Sequence, residues 1–96
     1  MQTEYLIAID EFCTKHDIEV SFINSLQQTG LIEITTIEEV GYIPIENIGQ
    51  LEKFVHFHYE LDINLEGIET ISHLLERVTD LQEEIVELRN KLSLYE

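Results

Sequence analysis

The chain is poor in the residues that carry specialised chemistry. Its 96 residues include one cysteine, Cys13, one proline and no tryptophan. A single cysteine excludes an intramolecular disulfide, and a lone thiol fits a reducing compartment. No apolar run approaches the roughly 20 residues of a membrane span, and the first residues lack the basic stretch of a signal peptide. We therefore expect a soluble, cytoplasmic protein without a membrane partner.

Cations are the scarcest functional groups. Five Lys and Arg face 20 Asp and Glu, for a net charge of −15, and only Lys15 and Lys53 precede residue 71. Because Lys and Arg that neutralise phosphates supply most of the affinity for nucleic acid, we expect nucleic acid to be a poor partner. A field of this sign attracts a basic partner. The alternative is that the negative charge only keeps a small protein soluble.

The length and hydrophobicity predict one small domain. Ninety-six residues can bury one modest core, and a hydrophobic content of 44% argues against disorder. We divide the chain into a body, residues 1–70, and a C-terminal helix, residues 71–96.

The C-terminal quarter carries the most regular pattern in the chain. Between residues 71 and 95 apolar side chains recur at alternating spacings of three and four, without Pro or Gly. This heptad repeat predicts a coiled coil, and β-branched residues alternating with Leu favour two strands. The alternative is that this helix packs within its own chain. The predicted dimerisation residues are Val78, Leu81, Ile85, Leu88 and Leu92.

The first third of the chain predicts a strand followed by two short helices. Residues 4–9 are rich in strand-forming side chains. Asp10 is the predicted cap of a first helix that runs to about His16, and Ser21 is the predicted cap of a second. Gly30 supplies the stop of the second helix. Two short helices joined by a tight turn predict a helix-turn-helix, although the second helix contains no Lys or Arg.

A two-stranded wing is predicted next. Residues 31–36 alternate and are rich in β-branched side chains, residues 38–41 form the turn, and the returning strand ends at Pro44. The predicted wing tip carries Glu38 and Glu39. A wing that binds DNA carries Arg or Lys at this place, since it must contact phosphates.

Helices fill the rest of the chain. A third helix is predicted over about residues 45–61, and Asn64 is placed to cap a fourth that begins at Leu65. Residues 65–95 form either one helix or two, and we favour a break near residues 78–80, because a return of the chain would help to cover a small core. The predicted fold class is therefore mainly α, with a small β wing and a C-terminal coiled-coil helix.

This order of elements resembles that of MerR-like winged helix-turn-helix proteins, and more narrowly that of the CbpM chaperone-modulator family. The likeness is carried by IDEFC at residues 9–13, GLIE at residues 30–33, HYELDI and LEGI within residues 58–68, and the repeat that begins LQEE at residue 81. It covers nearly the whole chain. These are fold-forming residues, and the combination rather than any one motif is specific.

The resemblance implies a non-catalytic adaptor without a cofactor. CbpM-like proteins bind the J domain of a DnaJ- or CbpA-like co-chaperone and inhibit its stimulation of Hsp70. A J domain presents a basic helix, which suits an acidic partner. The alternative is a MerR-type transcription regulator that binds DNA as a dimer. MerR-like relatives pair their terminal helices antiparallel, whereas the charges that flank this repeat favour a parallel pair, so both orientations stay open.

The sequence lacks the motifs that would indicate catalysis or metal binding. Neither a phosphate-binding Gly-rich loop nor a nucleophile motif is present. His56 and His58 point about 200° apart on a helix and cannot share a metal, and Cys13 is predicted to be a buried, inert thiol. We therefore expect neither an enzyme nor a metal protein.

The candidate contact residues follow from the charges on the first helix and the wing. The predicted partner-binding residues are Asp10, Glu11, Glu38, Glu39 and Glu46.

Overall fold

The computed structural model describes residues 5–95, in which a three-stranded sheet is surrounded by helices. It confirms the predicted fold class: mainly helical, with a small sheet and a long C-terminal helix. The elements in chain order are β1 Leu6–Ala8, α1 Ile9–His16, α2 Val20–Gln28, β2 Thr35–Ile37, β3 Val40–Pro44, a 3-10 turn Ile45–Asn47, α3 Ile48–Val55, a π-helical turn His56–Glu60 and α4 Leu65–Ser93.

The first two helices begin earlier than predicted. Helix α1 follows directly from Ala8 and α2 from Glu19, and neither preceding residue caps the helix with its side chain. Asp10 and Ser21 therefore lie inside the first turns and are not caps. The reason for α1 is that Ala8 still pairs in the sheet with Tyr42, so the chain passes from strand to helix without a linker. The Asp10 carboxylate still interacts favourably with the helix dipole, because it lies in the first turn of α1.

The strand predicted over residues 31–36 was placed too early. Gly30 has a φ of +83°, and the N–H of Leu31 donates to the carbonyl of Leu26 at 2.9 Å. The segment after Gly30 therefore first closes the end of α2, as is common for a glycine that terminates a helix. Ile32 is then buried in the core. Strand pairing starts only at β2, after the segment that buries Ile32.

The wing turn is tighter than predicted. It consists of Glu38 and Glu39, whereas Val40 and Gly41 already belong to β3 and pair with β2. Both glutamates have positive φ, 51° and 68°. This is the geometry of a type I′ turn, whose twist matches the twist of the strands it joins. A residue other than glycine in this conformation costs roughly 1–2 kcal/mol.

One hydrophobic core lies between the sheet and the helices. The fully buried side chains come from α2, β3, α3 and the first turns of α4, so these four elements contribute to the same cluster. Helix α1 adds Phe12 and Cys13 from its inner face. The largest fully buried side chains are Ile23, Leu26, Ile43, Leu51 and Ile68.

The predicted third helix is helical throughout residues 45–60 but changes its winding twice. Its last turn is π-helical, and the N–H of Ile63 donates to the carbonyl of Phe57 at 2.9 Å after it. This turn brings the His58 ring onto the Phe22 ring, with a centroid separation of 4.6 Å. A π-helical turn is rare and re-aims the side chains that follow it. Here it fixes the end of α3 against α2.

Helix α4 is continuous, and the predicted break near residues 78–80 is wrong. Its start is as predicted: the Asn64 side chain accepts a hydrogen bond from the N–H of Gly67 at 2.8 Å. The core is already closed by Ile68 and Ser72, so no return of the chain is needed to cover it. The radius of gyration is 17.3 Å, against about 12–13 Å for a compact domain of this length. Helix α4 therefore projects from the body.

Within residues 5–95, none of the helices combines the length and the apolar character needed to cross a bilayer.

The wing turn generates a stability prediction. Replacing Glu38 by Asn and Glu39 by Gly should raise the free energy of unfolding by roughly 1–2 kcal/mol, because Asn-Gly adopts the type I′ turn without strain. Urea denaturation measures this change. The control, Glu38→Gln with Glu39→Gln, removes the same charges and keeps the strained backbone. If the control gains as much stability, charge repulsion rather than backbone conformation is the cause.

Candidate functional site

The sheet register brings the start of α1 beside the wing turn. In the antiparallel pair of β1 and β3, Leu6 lies opposite Pro44 and Ala8 lies opposite Tyr42. The chain therefore runs along β1 toward the wing end of β3, and α1 begins there. Two segments that are far apart in the sequence, the first turn of α1 and the wing, meet at this end of the sheet.

A groove opens between α2, the start of α1 and the wing, and we call it the wing groove. It has a volume of about 360 Å³ and is open to solvent. Ile9 and Ile34 form its floor. The other residues that line it are Asp10, Val20, Asn24, Gln27, Thr36, Glu39, Val40 and Gly41.

Glycine at position 41 allows the wing to lie this close to α1. A Cβ atom built on Gly41 would lie 2.8 Å from Cδ1 of Ile9 and 3.3 Å from Cγ2 of Ile34. Both distances are shorter than ordinary van der Waals contact between carbon atoms. The two isoleucines therefore pack directly on the backbone of β3. This packing fixes the position of the wing relative to α1.

The structure brings together only part of the predicted acidic set. Asp10 and Glu39 line the same groove. Glu11 and Glu38 are their neighbours in the chain and are exposed at the same end of the sheet. Glu46 follows the opposite end of β3, which is about 13 Å away at the usual rise of a strand. The predicted site is therefore two surfaces, with Glu46 separate from the other four residues.

The sequence patterns missed the apolar part of the groove. Val20 is 39% exposed and Val40 is 44% exposed, so both present methyl groups to solvent beside the carboxylates. Val20 lies at the first position of α2, and Val40 fell inside the predicted wing turn. Neither position belongs to a periodic stripe, so no sequence signal could have marked them as neighbours.

The wing groove contains no cation among its lining residues, and α2 has no Lys or Arg on any face. Asn24 and Gln27 offer side-chain amides, which can form hydrogen bonds with many partners. A duplex would require Lys or Arg to hold its phosphates beside such amides. The groove is lined in part by the second helix of the helix-turn-helix, the helix that enters the major groove in DNA-binding members of this motif, but its lining residues lack the cations that such binding needs.

Cys13 lies beneath this region and has no exposed thiol. It is 5% exposed, and burial, followed by the nearby Asp10 carboxylate, raises the pKa of the thiol above its usual value. Because the thiolate is the nucleophilic form, a raised pKa and burial both lower the reactivity of this residue.

The histidines of the π-helical turn have separate partners. Nδ1 of His56 lies against Oε1 of Glu60, whereas Nδ1 of His58 lies 3.0 Å from the carbonyl oxygen of Ile63. Throughout residues 5–95, no three His, Cys, Asp or Glu side chains are grouped closely enough to hold a metal ion.

A second candidate surface runs along α4. The predicted dimerisation residues form one exposed apolar row, which we call the seam, and the body does not cover it in the described chain. Packing of the seam within its own chain, the alternative from the sequence, is therefore not observed in residues 5–95. The exposed fractions are 46% for Val78, 51% for Leu81, 48% for Ile85, 58% for Leu88 and 61% for Leu92.

Two short helices joined by a tight turn, with a β hairpin beside them, define a winged helix-turn-helix protein. Comparison with protein families agrees with this class: the model of the MerR HTH family regulatory proteins matches residues 7–90. The chain belongs to this family. Searches among curated proteins and among solved structures gave no match.

The packing at Gly41 generates a second prediction. Gly41→Val should lower the free energy of unfolding by roughly 1–3 kcal/mol, because the new side chain forces Ile9 and Ile34 apart in a filled space. Thermal unfolding followed by circular dichroism measures the loss. Gly49→Val is the control for introducing the same residue, since a Cβ atom at Gly49 meets no atom within 4 Å. Equal losses in both variants would contradict the packing role of Gly41.

Proposed function

We propose that this protein is a non-catalytic adaptor that binds the basic J domain of a DnaJ- or CbpA-like co-chaperone and inhibits its action on Hsp70. Membership of the MerR HTH family supports the fold on which this rests, and the resemblance to the CbpM branch supports the partner. The observation that carries the proposal is the wing groove, which has carboxylates on two of its walls and no cation among its lining residues.

The electrostatics favour a basic protein over nucleic acid. A net charge of −15 on 96 residues repels phosphates and attracts Lys and Arg. In this proposal, the carboxylates of Asp10 and Glu39, which line the groove, pair with those cations. Complementary charge of this kind mainly raises the association rate and excludes partners of the wrong sign.

The mechanism of inhibition is occlusion. A J domain uses its basic helix to dock on Hsp70, so an adaptor that covers this helix blocks the productive contact. No chemical step is required, and no cofactor takes part. The inhibited species is a complex whose lifetime depends on the contacts in the wing groove, because most affinity differences between related complexes lie in the dissociation rate.

The exposed seam supports a dimer. Full burial of each Leu, Ile or Val side chain stabilises a complex by roughly 1.5–3 kcal/mol. Such a row on a projecting helix is an uncommon feature of a monomer. Pairing of two seams would hold two wing grooves in one particle. We propose that the seam is the dimerisation surface and that the body binds the partner.

The first test is charge reversal at the wing. Glu38→Lys with Glu39→Lys should weaken binding of the isolated J domain about tenfold or more, since rim charges are lost and repulsion is gained. Isothermal titration calorimetry measures the affinity. Raising the salt from 0.1 to 1 M, which shortens the screening length from roughly 10 to 3 Å, should weaken the unmodified complex as well.

The matched control is Glu83→Lys with Glu87→Lys, which makes the same charge change on α4 at positions that do not flank the seam. This variant should bind nearly as tightly as the unmodified chain. An affinity that responds to neither the wing variant nor salt would overturn the electrostatic mechanism.

A DNA-binding regulator predicts a different result. Because the lining of the wing groove offers no cation for phosphates, we expect no retardation of duplex DNA in a gel shift at low salt. Tight binding of the duplex would overturn the adaptor proposal.

The dimer is tested at the seam. Leu81→Asp and Leu88→Asp, separately and together, should convert a dimer to a monomer, since each places a charge in the apolar interface. Analytical ultracentrifugation measures the mass. Val86→Asp adds the same charge to the same helix outside the seam and should leave the dimer intact. An unmodified chain that sediments as a monomer would contradict the proposal.

A further inference from the structure

We propose that the wing groove is the docking site for one basic amphipathic helix, whose apolar side pairs with Val20 and Val40 while its cations reach Asp10 and Glu39. The identity of the partner as a J domain rests on the proposed function. The existence of the docking site rests on the groove itself.

The first argument is the apolar surface that the groove exposes. Val20 from α2 and Val40 from β3 are 39% and 44% exposed, and Ile34 is half-buried between these elements. They come from separate segments and line one groove because the wing packs against α1 at Gly41. Their surfaces continue the packed floor made by Ile9. An apolar partner surface laid on them is removed from water together with them, which stabilises the complex.

The second argument is the placement of charge around this surface. Asp10 comes from α1 and Glu39 from the wing, so carboxylates from two elements line the same groove as the apolar residues. An amphipathic helix presents an apolar stripe with charged side chains on either side of it. A helix with Lys or Arg at its flanks is complementary to this arrangement in both polarity and sign, and the absence of cations among the lining residues leaves both carboxylates available.

The third argument is the openness of the groove. Sites for small molecules enclose most of the ligand surface, whereas the wing groove is open to solvent on one side. A helix is about 10 Å wide and can rest on the groove while most of its own circumference stays with the rest of its protein. The geometry therefore fits a protein helix better than a metabolite.

The decisive variant separates apolar docking from general acidity. Val20→Glu removes an apolar contact and adds a negative charge. General attraction of a basic partner predicts equal or tighter binding, whereas docking in the groove predicts weaker binding. We expect a loss of about fivefold or more, the usual effect of truncating a contributing interface residue. Glutamate at the first position of α2 suits the helix dipole, so the fold is retained.

Val86→Glu is the matched control for this variant. It makes the same substitution at an exposed position of α4, away from the wing groove and outside the seam. It should bind at least as tightly as the unmodified chain. Val40→Thr is a second variant, for use if Val20→Glu fails to fold. It keeps the β-branched shape and replaces one methyl group by a hydroxyl, and it should also weaken binding.

A second set of variants reverses single charges and compares the wing groove with the separate surface that carries Glu46. Asp10→Lys and Glu39→Lys should each weaken binding about fivefold or more, as expected for a charge reversal in an interface. Glu46→Lys changes the net charge equally but lies beyond the opposite end of β3, and it should have a smaller effect. Equal effects of all three variants would overturn the assignment of the groove.

The probe is a fluorescein-labelled synthetic amphipathic helix with Leu on one side and Lys on its flanks, with a scrambled peptide of equal charge as reference. Fluorescence anisotropy reports binding of this probe to the full chain, and the same variants are measured with the isolated J domain. Weaker binding by Val20→Glu and Glu39→Lys, with preference for the amphipathic peptide, supports the docking site.

The outcomes separate this inference from the proposed function. Binding of the amphipathic peptide without binding of the J domain keeps the docking site and overturns the J-domain adaptor. Binding of the J domain that is insensitive to Val20, Val40, Asp10 and Glu39 keeps the adaptor and overturns the docking site. Equal affinity for the amphipathic and scrambled peptides also overturns the docking site, because charge alone then explains the binding.

Discussion

The pairing of β1 with β3 is the contact on which the rest of the structure depends. It joins the beginning of the described chain to the wing and places the first turn of α1 at the wing end of the sheet. The close approach of Ile9 to Gly41 secures this arrangement. Without it, the helix-turn-helix and the wing would be separate local structures, and no groove would lie between them.

The same contact converts a general property into a local one. An acidic chain attracts basic molecules over its whole surface, but a field of this kind has no geometry. By bringing Asp10 and Glu39 into the lining of one groove with Val20 and Val40, the fold places two carboxylates beside exposed apolar side chains. Specific recognition needs both, because charge steers the encounter and buried apolar contacts prolong the complex.

Helix α4 separates two roles. Its first turns complete the core through Ile68, and its remaining turns leave the body and expose the seam. Since the helix is continuous from Leu65 to Ser93, the domain boundary we predicted at residue 71 lies within a single helix. The proposed pairing surface on α4 and the proposed partner surface on the body therefore have no residues in common.

The sequence by itself determined the type and order of nearly all elements, the cap at Asn64, the buried face of α2 and the heptad repeat, because these depend on local spacing and backbone chemistry. Tertiary structure alone decided the late start of β2, the continuity of α4, the separation of Glu46 from the other carboxylates and the exposure of the valines in the wing groove. These features arise from strand register and from which surfaces the core leaves uncovered, and both depend on contacts between residues distant in the chain.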